Sequence, residues 1–242
     1  MQTEKEWFEH WFDTPFYHIL YDYRNDDEAR FFMRNLVEYL KLSKGDKILD
    51  LPCGKGRHAL FLFEQGFQTT GADLSVNSIQ HAKQFEKEGL SFNIHDMRNP
   101  LNGSYDAIFN LFTSFGYFNQ ETTNIKVLKN FKKALEPGGH IVVDFLNLDK
   151  VVRELIPEQH LTKKKIDFVI RKRVSENFII KEIEVHHNHK VHHYIEKVQA
   201  LDLNKMKHFA KAAGLEIQEV FGDYELNPFD KMNSERLILI MQ

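Results

Sequence analysis

Residues 47–59 read KILDLPCGKGRHA, and how this stretch folds decides the rest of the chain. Ile48-Leu49-Asp50-Leu51 is a short, mostly apolar run with the length of a buried strand. Pro52-Cys53-Gly54-Lys55-Gly56 is a turn rich in residues with special backbone needs, and a helix is predicted to begin near Arg57. Glycines at a strand-to-helix turn permit positive φ and let a ligand approach bare backbone. The helix beyond aims unpaired N–H groups at whatever binds there. Asp50 at the strand end disfavours a diphosphate, since like charges would meet. A cation or a hydroxyl-bearing ligand is accommodated.

On either side the pattern continues. Upstream, Phe31, Phe32, Leu36, Val37 and Leu40 recur every three to four positions, so a helix over residues 26–42 leads into the first strand. Downstream, strands are predicted over 47–51, 67–73, 90–95, 105–110 and 140–145. Helices over 57–65, 77–89 and 120–135 separate them, ended by Gly66, by Gly89 and by Glu136-Pro137-Gly138-Gly139. Such βαβα succession implies a doubly wound α/β fold, a parallel sheet with helices on both faces. After Asp149 the texture changes. Residues 168–174, 178–187 and 192–201 alternate apolar and polar side chains, with turns at Ser175-Glu176-Asn177 and at 187–190, and read as an antiparallel meander with one wet face. A helix over 204–213 and strands over 215–221 and 236–241 close the chain.

Composition excludes several classes. The chain has 242 residues, 42% of them hydrophobic, with 21 Phe, a length that suits one domain with insertions. A net charge of −3 gives no global attraction to nucleic acid or anionic membrane. The single Cys53 excludes an intramolecular disulfide and a multi-cysteine zinc site, and suits a reducing compartment. No apolar run approaches the roughly 20 residues of a membrane span, and the opening residues lack an apolar signal core. The expectation is a soluble, cytoplasmic monomer or homodimer. The opening residues 4–24 carry Trp7, Phe8, Trp11, Phe12, Phe16, Tyr17, Tyr21 and Tyr23. They are expected to form an amphipathic helix that packs its rings on the body and can cover a pocket, with Tyr17, Tyr21 and Arg24 facing inward.

Open α/β sheets bind ligands at the carboxyl ends of their strands. Three acids fall there at equal intervals of 23 positions: Asp50 after strand one, Asp73 after strand two and Asp96 after strand three. Side by side they would line one crevice. An acid after strand two can accept from both hydroxyls of a ribose, one after strand three from an exocyclic amine, and Asp50 can face an amino group or a positive centre.

Asp50-Leu51-Pro52-Cys53-Gly54-Lys55-Gly56-Arg57-His58, Gly71-Ala72-Asp73-Leu74-Ser75, His95-Asp96-Met97-Arg98 and Leu135-Glu136-Pro137-Gly138-Gly139 resemble the successive motifs of the class I S-adenosylmethionine-dependent methyltransferases. The resemblance implies a Rossmann-like, seven-stranded, mostly parallel sheet whose last strand is antiparallel, with the meander inserted after strand five. It divides one domain into a helical lid (1–43), a cofactor-binding core (44–149), the antiparallel insertion (150–203) and a closing helix with two strands (204–242). It places Gly54 and Gly56 under the methionine part of S-adenosylmethionine, Asp73 on the ribose, Asp96 on the adenine amine, and Leu74 and Met97 against the adenine ring. Pro52, Cys53, Arg57 and Ser75 complete that cofactor set. One departure is Pro52, where the family has its first glycine: proline fixes φ near −65° and has no N–H to donate. Asn110-Leu111-Phe112-Thr113-Ser114-Phe115-Gly116-Tyr117, together with Tyr21-x-x-Arg24 and the meander, is similar to small-molecule N-methyltransferases, including those acting on amino sugars. That similarity adds Asn110, Leu111, Phe112, Tyr21 and Arg24 to the cofactor side.

The reaction so implied is in-line methyl transfer to nitrogen or oxygen of a small molecule, leaving S-adenosylhomocysteine and requiring no metal. Tyr117, Tyr21 and Tyr17, with His58 behind them, are the candidates to orient the acceptor or relay its proton. The rivals are an RNA- or protein-directed methyltransferase and a nicotinamide-dependent oxidoreductase, the latter because residues 54–59 also satisfy the loose G-x-G-x-x-A fingerprint. Pro52-Cys53 resembles the Pro-Cys nucleophile of cytosine-5 methyltransferases, but Cys53 sits in the first turn and not after strand four, the wrong place for that role. His186, His187, His189, His192 and His193 read as a solvated hairpin tip rather than a metal site, because neighbouring strand residues point to opposite faces. Lys163-Lys164-Lys165, Arg171 and Arg173 form a local basic patch, read first as a solvated face.

Overall fold

The computed structural model describes residues 6–22, 26–175 and 177–242. Arg24 and Tyr23 of the expected lid, and Glu176 of the expected turn, lie outside the described residues. Two short helices, α1 (Trp7–Trp11) and α2 (Pro15–Leu20), replace the single N-terminal helix expected. The cause is local: Thr14 caps α2 by accepting from the Tyr17 N–H at 3.2 Å, and Pro15 occupies a first-turn position that an interior helix would not tolerate. Next comes α3 (Asp26–Tyr39), with three acids in its first turn and Ala29, Phe32, Met33 and Leu36 buried along one stripe.

The main sheet then builds from β1 (Lys47–Asp50), α4 (Arg57–Glu64), β2 (Gln68–Asp73), α5 (Val76–Ala82), β3 (Leu90–Ile94), β4 (Tyr105–Asn110), α6 (Glu121–Lys133) and β5 (Leu135–Leu146). It is completed by α8 (Leu203–Ala213), β10 (Ile217–Phe221) and β11 (Arg236–Met241). The strand order is β10-β11-β5-β4-β1-β2-β3, parallel throughout except that β11 runs antiparallel to both its neighbours. This is the Rossmann-like, seven-stranded sheet expected. Its order turns about β1, flanked by β2 and β4, and a crevice opens at the carboxyl ends there.

Two boundaries differ from expectation. The helix after β2 stops at Ala82 and tightens into a 3₁₀ turn, Lys83–Phe85, instead of running to Gly89. There the Glu86 side chain turns back to accept the Phe92 N–H at 2.9 Å, tying the chain to β3. The Glu136-Pro137-Gly138-Gly139 segment does not close α6 but begins β5: Leu135 pairs with Tyr105 and the register then shifts. Gly139 lies so close to the backbone oxygens of Asp106, Glu136 and Tyr105 that an added Cβ would meet them at 3.0 Å.

Between β5 and α8 lie a short helix, α7 (Leu148–Arg153), and a second, antiparallel sheet in the order β6 (Glu158–Lys163), β7 (Ile166–Val174), β8 (Phe178–His187) and β9 (Lys190–Gln199). Three strands were expected. β6 escapes the pattern because only Leu161 and Lys163 along it are even half-buried. The inner face of this sheet buries Ile166, Phe168, Ile170, Ile183 and Val185 against Trp11 and Leu20 of α1 and α2. The N-terminal helices are thereby wedged between the second sheet and the crevice of the first.

Candidate functional site

The crevice is a cavity of about 560 Å³ lined by Asp50, Asp73 and Asp96 together, as their places at three adjacent strand ends require. Asp73 terminates β2 and anchors two loops. Its Oδ2 accepts the Gly54 N–H and its Oδ1 the Ser75 N–H, both at 2.8 Å. Burial pushes this carboxyl up, while those backbone donors pull it back. Each oxygen still has lone-pair capacity for a ligand hydroxyl.

Asp50 is buried, and its Oδ2 has no hydrogen-bond partner among the described residues. Burial and the nearby Asp73 push it up to about 8, against the pull of the Ala59 N–H and Arg57. The Ala59 N–H belongs to the first turn of α4, so the helix N-terminus is already serving a protein carboxylate. Asp50 borders the cavity, and its orphaned oxygen, buried just behind the wall, invites a cationic donor. Asp96 also faces the cavity, but both its oxygens are engaged. Although burial pushes it up, bonds from Arg98 at 2.6–3.0 Å bring it below the usual carboxylate range. Arg98 in turn reaches Glu6 at 2.5 Å.

The other expected cofactor contacts divide. Pro52, Cys53, Gly54, Arg57, Leu74, Ser75, Met97, Leu111 and Phe112 line the cavity. Gly54 has φ 53° and open space where a Cβ would be. Gly56 does not line it: at φ 83° it caps α4, and an added Cβ would meet the buried ring of Phe92 at 2.6 Å. Asn110 is also away from the lining, fully buried, donating to the Leu51 carbonyl at 2.8 Å. The Cys53 thiol is buried and held protonated by burial and the neighbouring acids.

A second cavity, also about 560 Å³, adjoins the first, and Phe12, Tyr17, Tyr21, Phe112 and Tyr117 line both. Three of the four acceptor-side candidates thus stand at the shared wall. Their rings interlock: Phe12 lies 4.9 Å from Tyr17 and 5.5 Å from Tyr117, and Tyr17 5.1 Å from Tyr21. The Tyr117 hydroxyl donates to the Thr113 carbonyl at 2.6 Å. Tyr21 donates to Glu196 at 2.7 Å and accepts from Lys181. His58 lines the first cavity alone, packed on Phe112 with ring centres 4.8 Å apart and accepting from Arg57 at 2.9 Å.

Several residues here were not foreseen. Asp13 latches the lid, accepting from Ser75 and Asn77 at 2.6 Å. Glu196 is a hub that accepts from Trp11, Tyr21 and Lys181, each at 2.7 Å. Burial pushes Glu196 up, yet Lys181, Tyr21 and Trp11 together hold it below the usual range. Asp144, fully buried at the end of β5, accepts from Arg236 and from the Phe112 N–H at 2.7 Å each, and so holds Phe112 and Thr113 at φ near 60°. No local motif marks these residues. The expected basic patch is divided: Lys163, in register with the inward Ile166, and Lys164 pair with Asp22, while on the outer face Arg171 pairs with Glu158 and Glu184, and Arg173 with Glu182. His186 pairs with Glu184, while His187 and His192 contact Phe16.

This arrangement matches known proteins. The family described as methyltransferase domain matches residues 42–199, and the chain belongs to it. It is 32% identical over 142 residues to a glycine/sarcosine N-methyltransferase from Halorhodospira halochloris, covering 55% of this chain and 51% of that protein. The chain spans about half the length of the curated relatives it matches, or a quarter in one case. Among solved structures it is similar to an S-adenosylmethionine-dependent methyltransferase from Clostridium acetobutylicum (TM-score 0.79, 19% identity, 93% of this chain and 94% of that one). It is also similar to CalS10, an amino pentose methyltransferase from Micromonospora echinaspora (TM-score 0.68, 18% identity, 94% and 96% covered).

Proposed function

We propose that the protein transfers a methyl group from S-adenosylmethionine to nitrogen of a small-molecule amine, the acceptor entering through the second cavity. The observation that carries the cofactor assignment is the pair of acids at the first two strand ends. Asp73 has acceptor capacity for ribose hydroxyls, and the orphaned Oδ2 of Asp50 suits the ammonium of the methionine moiety. Gly54 leaves room for that moiety, and Leu74 and Met97 offer apolar surface to the adenine. Asp96 has less spare capacity for the adenine amine than an open carboxylate, because Arg98 already occupies it. A nicotinamide dinucleotide fits poorly: its diphosphate would have to share the α4 N-terminus with Asp50.

Bound S-adenosylmethionine would supply a methyl group on a positively charged sulphur, transferred by in-line displacement. The protein's part is alignment and exclusion of water, which in favourable cases supplies on the order of 7–11 kcal/mol. Tyr117, its proton committed to Thr113, can accept a hydrogen bond from an amine N–H and so point the nitrogen lone pair at the methyl. Tyr17 and Tyr21 form the opposite side of the opening, with Tyr21 held in place by Glu196 and Lys181. The aromatic lid supports a small acceptor over a polymer, as does the pairing of the basic patch with acids. A labelled-methyl assay against fractionated metabolites, RNA and protein tests the reading: label is expected in a small-molecule amine. Label appearing only in RNA or protein would contradict it.

A further inference from the structure

The second cavity is rich in charge. Five cations line it, Arg57, Lys150, Lys172, Lys181 and Arg236, beside four acids, Glu28, Glu154, Glu196 and Glu235. Four of the cations have a carboxylate partner, respectively Asp26, Glu235, Glu196 and Asp144. Lys172 has none: it makes no side-chain hydrogen bond or ion pair among the described residues, and only its backbone N–H is used, by the Pro157 carbonyl at 2.7 Å.

Its position is set by the sheet. Lys172 on β7 pairs in register with Lys181 on β8, which pairs with Glu196 on β9. Cross-strand partners project to the same face, so the three form one polar row on the inner face of the second sheet. The row stands next to the apolar ladder of Ile170, Ile183 and Tyr194. Lys172 is half-buried, and burial together with Lys181 lowers its pKa, partly offset by Glu196. The row therefore presents two ammonium groups for one carboxylate, in a pocket that water does not fully screen. A half-buried excess charge of this kind carries part of the cost of a buried one, and a ligand of opposite charge relieves it.

We propose that Lys172 seats an anionic group, a carboxylate or a phosphate, of the methyl acceptor, so that the acceptor is a small amine carrying a negative charge. The proposal rests on the methyltransferase reading for the amine end, which lies at the tyrosine wall beside Glu196. The anionic end lies toward β7, two strand spacings or about 10 Å away at most.

The test is a calorimetric titration of the whole protein, with and without S-adenosylhomocysteine, using glycine, 4-aminobutyrate, the amide of each, and inorganic phosphate. The acids, or phosphate, are expected to bind at least about tenfold more tightly than the amides. That preference is expected to vanish in Lys172→Gln and to persist in Lys172→Arg, with folding monitored by tryptophan fluorescence. A response to amino acids but not to phosphate assigns a carboxylate, and the reverse a phosphate. Equal binding of acids and amides with no binding of phosphate, or anion binding unchanged in Lys172→Gln, overturns the proposal, even if S-adenosylhomocysteine binds. Anion binding at Lys172 without any S-adenosylhomocysteine binding overturns its assignment to a methyl acceptor and the methyltransferase reading with it.

Discussion

The two adjoining cavities are of equal volume but are built in different ways. The first is made of strand ends and the turns directly after them, with donors supplied by the backbone: the Gly54 and Ser75 N–H groups on Asp73, and the Ala59 N–H on Asp50. The second is made of side chains that meet across long stretches of sequence, such as Tyr21 with Glu196 at a separation of 175 residues and Arg236 with Asp144 at 92. The contrast teaches that a cavity held by backbone keeps its chemistry wherever the sheet forms. A cavity held by side chains can be retuned one residue at a time. On the proposed function, cofactor binding and acceptor choice are thereby separated.

The largest effect that would break this contrast is at Asp73. In Asp73→Ala, two backbone donors lose their acceptor along with the ligand contact, so S-adenosylhomocysteine affinity is expected to fall at least about a hundredfold by calorimetry, roughly two charge-assisted bonds. A smaller loss would mean that the strand end is not the anchor. Next is Glu196→Gln on the side-chain-built side. It leaves Lys181 without its counter-charge and is expected to cost about 3 kcal/mol, seen as a fall in Tm of several degrees. S-adenosylhomocysteine binding measured below that Tm should barely change, and a large loss would erase the separation between the cavities.

Asp50 sharpens the comparison through pH. Its folded value of about 8 lies above that of a free carboxylate, so the empty fold carries no penalty below about pH 4. It is progressively destabilised relative to the unfolded chain as pH rises towards 8. A bound ammonium reverses this by favouring the ionised form. S-adenosylhomocysteine binding is therefore expected to tighten as pH rises from 6 to 8, by as much as about tenfold per unit, and to level off above. In Asp50→Asn the slope should disappear; a slope retained there would place the titration elsewhere. The two turn glycines give the smallest effects and opposite signatures. Gly56→Ala should lose about 1–3 kcal/mol of stability through the strained φ and the clash with Phe92. Gly54→Ala should lose less stability than that, but more ligand affinity.

The same division explains what could be read in advance. The sheet and the three acids were legible because each depends on a few consecutive residues: an apolar run, a glycine turn, a helix start. The N-terminal helices were misjudged where one proline outweighed an amphipathic pattern, and β6 was missed because its side chains are almost all exposed. Gly56 carries the family motif yet serves packing against Phe92, which only the tertiary structure shows. Lys172, Lys181 and Glu196 looked no different from Arg171, Arg173 and Glu184. One position of register decides which of them face the cavity, and a sequence with an unseen strand pairing does not reveal it.

The most direct measurement is a pair of calorimetric titrations of the wild-type protein, one with S-adenosylhomocysteine and one with NAD. An adenosyl group gripped by Asp73 with an ammonium on Asp50 predicts one-to-one binding of S-adenosylhomocysteine and no binding of NAD. Tight binding of NAD, with S-adenosylhomocysteine unable to displace it, would contradict the account.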